Sequence, residues 1–184
     1  MKTLVIHPDD RSTDFLKPIY DKLDDVTLVT GGWTREEIIF NIQIHDQVMM
    51  MGHGGPGGLF AMGQFWPNYS PYIIGMDMVE ALSQKTNNIF IWCNADQFVT
   101  RHGLKGFYTG MFISETGEAA YCGLPGTPQD IVDESNHGFV KIFSEVLQGT
   151  RDTSVLFEQT SNTYSLIADI NPVAKYNYNR LFCS

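Results

Sequence analysis

The sequence predicts an α/β domain built on a mainly parallel sheet. Two apolar runs carry the prediction, Gln47-Val48-Met49-Met50-Met51-Gly52 and Ile89-Phe90-Ile91-Trp92, each short, continuous and followed by Gly or polar residues. That pattern marks strands buried on both faces. A helical pattern lies between them, and strands joined by a crossover helix lie parallel in one sheet. Strand and helix signals alternate along most of the chain, which is the α/β order.

Leu4–Ile6 reads as the first strand, closing at His7-Pro8-Asp9-Asp10. Phe15, Leu16, Ile19, Tyr20 and Leu23 then have the spacing of an amphipathic helix, capped by Thr13 or Ser12. Val26–Val29 is a second strand, stopped by Gly31-Gly32. Thr34 followed by Glu37 is a capping box opening a helix to about Ile42. The third strand ends at His53. Residues Gly57–Gly63 read as a small hairpin or an exposed loop, continued by the aromatic and Pro-rich Trp66–Pro71. A helix over Met76–Lys85 leads to the fourth strand, which ends at Cys93, and Gly110–Ser114 reads as a fifth. Asp130–Leu147 carries a long helical pattern, weakened by about 1 kcal/mol at Gly138 relative to Ala. From Arg151 the chain turns polar, with one more strand expected at Ser165–Ile170.

At 184 residues the chain fits a single domain, read as a core over about 1–150 and a C-terminal extension over about 151–184. With 43% hydrophobic and 18% charged residues it is too apolar to be disordered. A formal net charge of −9 argues against a nucleic-acid partner and is compatible with a basic peptide. Three cysteines cannot all pair within one chain, and Met1–Ile6 begins a strand, not a signal peptide. No apolar run approaches the roughly 18 residues of a membrane span, so no membrane partner and a reducing, cytoplasmic setting are expected. A thiol there is reactive or buried, not disulfide-bonded.

The two matched strand ends bring an imidazole and a thiol to one sheet edge, where open α/β sheets place their sites. A cysteine nucleophile needs a neighbour that manages its proton and donors for the developing oxyanion. Cys93 and His53 meet the first need. For the second, Gly54 offers a backbone N–H without a Cβ in the way, and the amide of Cys93 is another donor. His102-Gly103 and His137-Gly138 repeat the dipeptide without a buried strand before them and read as surface or helix-end features. Cys122 reads as a packed position, Cys183 as an ordinary tail thiol and His7 as structural. The glycines from Gly52 to Gly58 do not open a helix, as a phosphate loop or dinucleotide fingerprint must. Histidines and cysteines lack the paired short spacing of a metal site, so neither metal nor cofactor is expected.

At these residues the sequence resembles the caspase-like (clan CD) cysteine peptidases, which include caspases, gingipains, clostripain, legumain, separase and the CHAT-domain peptidases. Their signature is a hydrophobic strand followed by His-Gly, a spacer, and a second hydrophobic strand ending in the nucleophilic Cys. Met49-Met50-Met51-Gly52-His53-Gly54-Gly55 and Ile89-Phe90-Ile91-Trp92-Cys93-Asn94 match it, and the 40 residues from His53 to Cys93 are near the roughly 50 of caspases. The resemblance implies a three-layer caspase-like fold over about residues 1–150, with helices on both faces of the sheet. It implies Cys93 as nucleophile, His53 as the group protonating the leaving amine, Gly54 in the oxyanion hole, and a peptide or protein substrate. Trp92 departs from the small residue usual there, which narrows the pocket or rules out ordinary substrates. The family builds the pocket for the residue before the cut bond near the first strand, the nucleophile and the next strand. Asp96, Asp9, Asp10 and Glu115 are the acidic candidates there, favouring Lys or Arg.

Two other readings share these motifs. Class I glutamine amidotransferase-like enzymes, including the DJ-1 group, also carry Gly-His-Gly after one strand and Cys after the next, with the Cys on a strained elbow that needs small neighbours. The other is a caspase-like domain that cuts nothing and binds a partner through the aromatic loop Phe65–Tyr72.

Overall fold

Alternate residues of the buried strands feed two separate cores, and this divides the molecule into three layers. The computed structural model describes residues 1–62 and 71–184. Along the chain run strands β1 (Thr3–Ile6), β2 (Val26–Val29), β3 (Gln47–Met51), the short β4 (Gly54–Gly55), β5 (Gly58–Phe60) and β6 (Tyr72–Ile74), then β7 (Asn88–Ile91), β8 (Gly106–Thr109) and β9 (Leu181–Cys183). The helices are α1 (Arg35–Ile44), α2 (Val79–Ser83), α3 (Ala95–His102), α4 (Thr116–Tyr121), α5 (Gln129–Gly149), α6 (Thr153–Ala168) and α7 (Pro172–Tyr178). Six strands form one sheet in the order β2-β1-β3-β7-β8-β9, parallel except for β9.

On one face Leu4, Ile6, Val48, Met50 and Phe90 pack with Ile38 and Ile42 of α1, Leu82 of α2 and Phe98 of α3. On the other, Val5, Met49, Met51, Ile89 and Ile91 pack with Phe139 and Phe143 of α5 and Leu156 and Tyr164 of α6. Period-two alternation explains how one continuous apolar run serves both cores. Burying each such side chain contributes roughly 1.5–3 kcal/mol. β2 lies on one side of β1 and β3 on the other, so the chain reverses direction across the sheet beside β1. A crevice opens at the carboxyl ends of strands at such a point.

The α1 capping box forms as its sequence requires, with Glu37 N–H donating to Thr34 Oγ1 at 3.2 Å and Thr34 N–H donating to Glu37 Oε2 at 2.8 Å. Other elements differ from the sequence expectations. The first helix is a 3-10 helix, Arg11–Ile19, and its cap is Asp10, not Ser12 or Thr13. The Asp10 carboxylate accepts from Ser12 N–H, which starts the helix early, and Pro18 inside it has no N–H to extend an α-helical ladder. The Met76–Lys85 helix is a 3-10 turn, Met76–Met78, followed by α2. The loop after His53 builds a three-stranded antiparallel sheet, β4-β5-β6. Within it Gly58 has φ +138° and a Cβ there would stand 1.9 Å from Ile74 O, so only glycine fits. The segment Trp66–Pro71, apart from Pro71, lies outside the described residues.

The fifth strand is Gly106–Thr109, not Gly110–Ser114. Gly110 N–H donates to Arg180 O at 2.8 Å, and side chains satisfy the backbone from Ile113 on: Ile113 N–H donates to Asn177 Oδ1 at 2.7 Å, Asn177 Nδ2 donates to Ile113 O at 2.9 Å, and Asn136 Nδ2 donates to Ser114 O at 2.9 Å. Ser165–Ile170, expected as a strand, belongs mostly to α6. The segment read as an extension after residue 150 is built into the molecule. β9 pairs antiparallel with β8, and Leu156, Tyr164, Ala174 and Leu181 join the same core as Phe139.

Candidate active site

β3 and β7 are adjacent and parallel, with Met51 opposite Ile91, and Gly52 N–H donates to Ile91 O at 3.1 Å. The next residues on the two strands include His53 and Cys93, which leave the sheet together. Both line one narrow cleft of about 20 Å³, room for about one water molecule, with Thr13, Leu16, Phe112 and Ser114 among its walls. The imidazole and the thiol therefore share a cavity, although no hydrogen bond joins them among the described residues.

Cys93 follows β7, and its sulfur faces the segment after β8. Its Sγ–H faces Phe112 O at 3.3 Å and Glu118 Oε1 at 3.7 Å. Burial first, and the Glu118 carboxylate second, push the thiol up to about 12. Cys93 is accordingly protonated in the resting protein. Glu118 is the functional neighbour that the sequence reading missed. Its Oε2 accepts from Ser114 N–H at 2.7 Å, Ser114 Oγ at 3.0 Å and Glu115 N–H at 3.2 Å, which folds the carboxylate back over the start of α4. The signal was an acidic residue three positions after the Glu115 cap, the spacing of a capping box.

His53 turns its Nε2 toward the loop after β1. Ser12 Oγ lies 2.6 Å from that nitrogen and donates to Asp10 Oδ1 at 2.7 Å, while Asp10 Oδ2 stands 3.9 Å from it. Hydrogen bonds from the Ser12 side chain and backbone hold the Asp10 carboxyl below its ordinary range. His7 braces the same loop from beneath. Its ring contacts Tyr20 Oη at 2.9 Å and Thr13 Oγ1 at 3.0 Å, and burial lowers it to about 4, so it is a neutral structural group.

Of the two expected main-chain donors, Cys93 lines the cleft and Gly54 does not. Phe60 N–H donates to His53 O at 2.8 Å, so Gly54, opposite Leu59, occupies a non-hydrogen-bonded position and turns its N–H away from β5. The Cys93 N–H has no partner among the described residues. The need for glycine at 54 is a close approach: a Cβ would meet Trp92 Cδ1 at 2.3 Å. Trp92, expected to narrow the pocket, is among the residues lining the thiol cleft; its ring packs against Phe90 and Phe98 and donates from Nε1 to Gly55 O at 3.2 Å. After Cys93 the chain turns into α3 through Asn94, which has φ +63°. The left-handed residue is thus Asn94 and not the cysteine.

The acidic candidates separate. Glu115 lines a second, polar cleft of about 430 Å³ that shares Phe15 and Ser114 with the thiol cleft. Asp133, Arg11 and His137 also line it. Asp10 is engaged with Ser12 and His53 and is not a free specificity acid. Asp96 sits in the first turn of α3 and Asp9 is exposed, and neither lines either cleft. His102 ends α3 and packs on Phe98, and His137 is exposed on α5. Cys122 and Cys183 are free and partly exposed.

Among the described residues no helix is long and apolar enough to cross a membrane. No family model matches the chain, and no curated protein matches it in sequence.

Proposed function

We propose that the chain is a cysteine endopeptidase of caspase-like fold, using Cys93 and His53 on a peptide or protein substrate. The observation that carries the reading is the matched exit of His53 and Cys93 from adjacent parallel strands into one cleft. Cys93 Sγ forms the new bond to the scissile carbonyl carbon, and its proton passes to His53. The Gly54 and Cys93 N–H groups receive the developing oxyanion. His53 then protonates the amine as the C–N bond breaks, leaving a thioester that water hydrolyses to restore the thiol. Because the thiol is protonated at rest, the proton moves during attack and not before it. Glu115 and Asp133, in the adjoining cleft, favour Lys or Arg before the cut bond.

A peptidyl acyloxymethyl ketone probe tests the assignment. It modifies Cys93 in the wild type and fails in folded Cys93→Ala and His53→Ala proteins; equal labelling of Cys122 or Cys183 overturns it. A peptide library then reads cleavage and preference. No cleavage together with turnover of glutamine or a small aldehyde favours the amidotransferase-like reading, against which stands the positive φ at Asn94 instead of Cys93. Inertness toward all of these leaves the binding-domain reading.

A further inference from the structure

We propose that Ser12 is a positioning residue for His53: its hydroxyl links the Asp10 carboxylate to His53 Nε2, fixing the ring as the Nε2–H form with Nδ1 free to take a proton. The catalytic consequence rests on the peptidase reading, but the tautomer does not.

The donor count dictates the direction. A serine hydroxyl has one hydrogen, and an ionised carboxylate can only accept. Ser12 Oγ therefore gives its hydrogen to Asp10 Oδ1 at 2.7 Å and must accept from His53 Nε2–H at 2.6 Å. At 3.9 Å Asp10 is too far from Nε2 to bond it directly, so the hydroxyl is the required link. His53 Nδ1 has no hydrogen-bond partner among the described residues, which leaves it as the ring's basic site. A proton taken there makes an imidazolium whose charge faces Asp10 through Ser12.

The loop is rigid enough for this task. Asp10 is the cap of the 3-10 helix and also accepts from Ser12 N–H at 2.9 Å. Thr13 Oγ1 donates to Asp10 O at 3.0 Å and takes a hydrogen from His7 Nε2, while Tyr20 Oη donates to His7 Nδ1. One short segment after β1 thus caps a helix and orients the histidine that leaves β3. Among the described residues, the titratable groups placed beside His53 are Asp10, 3.9 Å from its Nε2, and Cys93, which lines the same cleft.

The variants separate orientation from folding. Ser12→Ala deletes the hydroxyl but keeps the Ser12 N–H bond that caps the helix, and Ser12→Thr restores a hydroxyl. Nitrogen-15 NMR of the intact chain, with the five histidines separated by a His53→Gln spectrum, reads the ring without substrate. The wild type shows a solvent-protected His53 Nε2–H proton and an unprotonated Nδ1; Ser12→Ala loses the protected proton and Ser12→Thr keeps it. With a cleavable peptide, Ser12→Ala lowers kcat roughly tenfold to a hundredfold at unchanged KM. A wild-type Nδ1–H ring, or a protected Nε2–H that survives in folded Ser12→Ala, overturns the proposal. A protected proton without any peptide cleavage overturns only the peptidase reading.

Discussion

Glu118 stands over Cys93, its Oε1 3.7 Å from the thiol sulfur, and its other oxygen is tied to the backbone of Ser114 and Glu115. The carboxylate cannot swing away without leaving those donors unpaired. It therefore acts on the thiol as a fixed negative charge, adding to burial in holding the proton on sulfur.

Alkylation kinetics follow from that charge. Since the thiolate is the reactive species, the rate of iodoacetamide reaction at Cys93 keeps climbing from pH 8 to pH 10, where an ordinary thiol levels off. Glu118→Gln retains an acceptor for Ser114 and removes the charge. It raises the rate at pH 8, tenfold for each unit that the thiol falls. A slower or unchanged rate in this variant shows that the carboxylate does not control the sulfur.

The same shift fixes the sign of an alkaline stability change. Native Cys93 holds its proton to about pH 12, against 9.0 for an unperturbed thiol. Its contribution is fully present below pH 9 and is lost as pH rises toward 12, because the unfolded chain releases the proton first. Tyr164, raised to about 12 chiefly by burial, acts in the same direction. Urea denaturation at pH 8 to 10.5 shows falling stability, and Cys93→Ala makes the fall shallower by up to about 1.4 kcal/mol per pH unit.

Gly54 and Trp92 form the tightest constraint near the site. A methyl at 54 meets Trp92 Cδ1 at 2.3 Å and Gly58 O at 2.7 Å, and Trp92 is held in place by its bond to Gly55 O. Gly54→Ala therefore lowers stability by about 1–3 kcal/mol through overpacking. The urea midpoint measures it, and an unchanged midpoint shows that the indole moves freely.

The polar cleft gives a charge-reversal experiment. Glu115 and Asp133 are exposed, and exposed ion pairs are worth about 0.2–1 kcal/mol, so each carboxylate supplies no more than about fivefold in kcat/KM. Glu115→Lys and Asp133→Asn reduce turnover of Lys or Arg peptides by about that factor and spare peptides with a neutral residue. Equal losses on both substrates place the recognition elsewhere.

The parts of the site legible in the sequence are those made by unbroken buried strands. His53 and Cys93 follow apolar runs whose ends match, and β3 beside β7 realises the match. Helix α6 was illegible for a physical reason: its fully buried positions Leu156, Thr160 and Tyr164 keep helical spacing, but two of the three carry hydroxyls. The local apolar pattern therefore fades although the packing is complete. Met111-Phe112-Ile113 misled in the opposite sense. It is apolar like a strand, yet both backbone groups of Ile113 pair with the side chain of Asn177, far along the chain, and Phe112 O faces the Cys93 thiol, which no local pattern reveals.

Asn177 is the most distant of those partners and the strongest test of how the thiol cleft is held. It is fully buried and takes both polar groups of Ile113, donating to its carbonyl and accepting from its N–H. Asn177→Leu, close in size, leaves both Ile113 groups buried without partners, at about 1–3 kcal/mol each. The variant shows a lower urea midpoint. Because Phe112 and Ser114 flank Ile113, loosening this segment also frees the carbonyl and the Glu118 anchor that face Cys93, and alkylation of Cys93 at pH 8 accelerates. Loss of stability without faster alkylation would show that the wall of the thiol cleft is held independently of Asn177, by the Glu118 and Asn136 bonds to Ser114 alone.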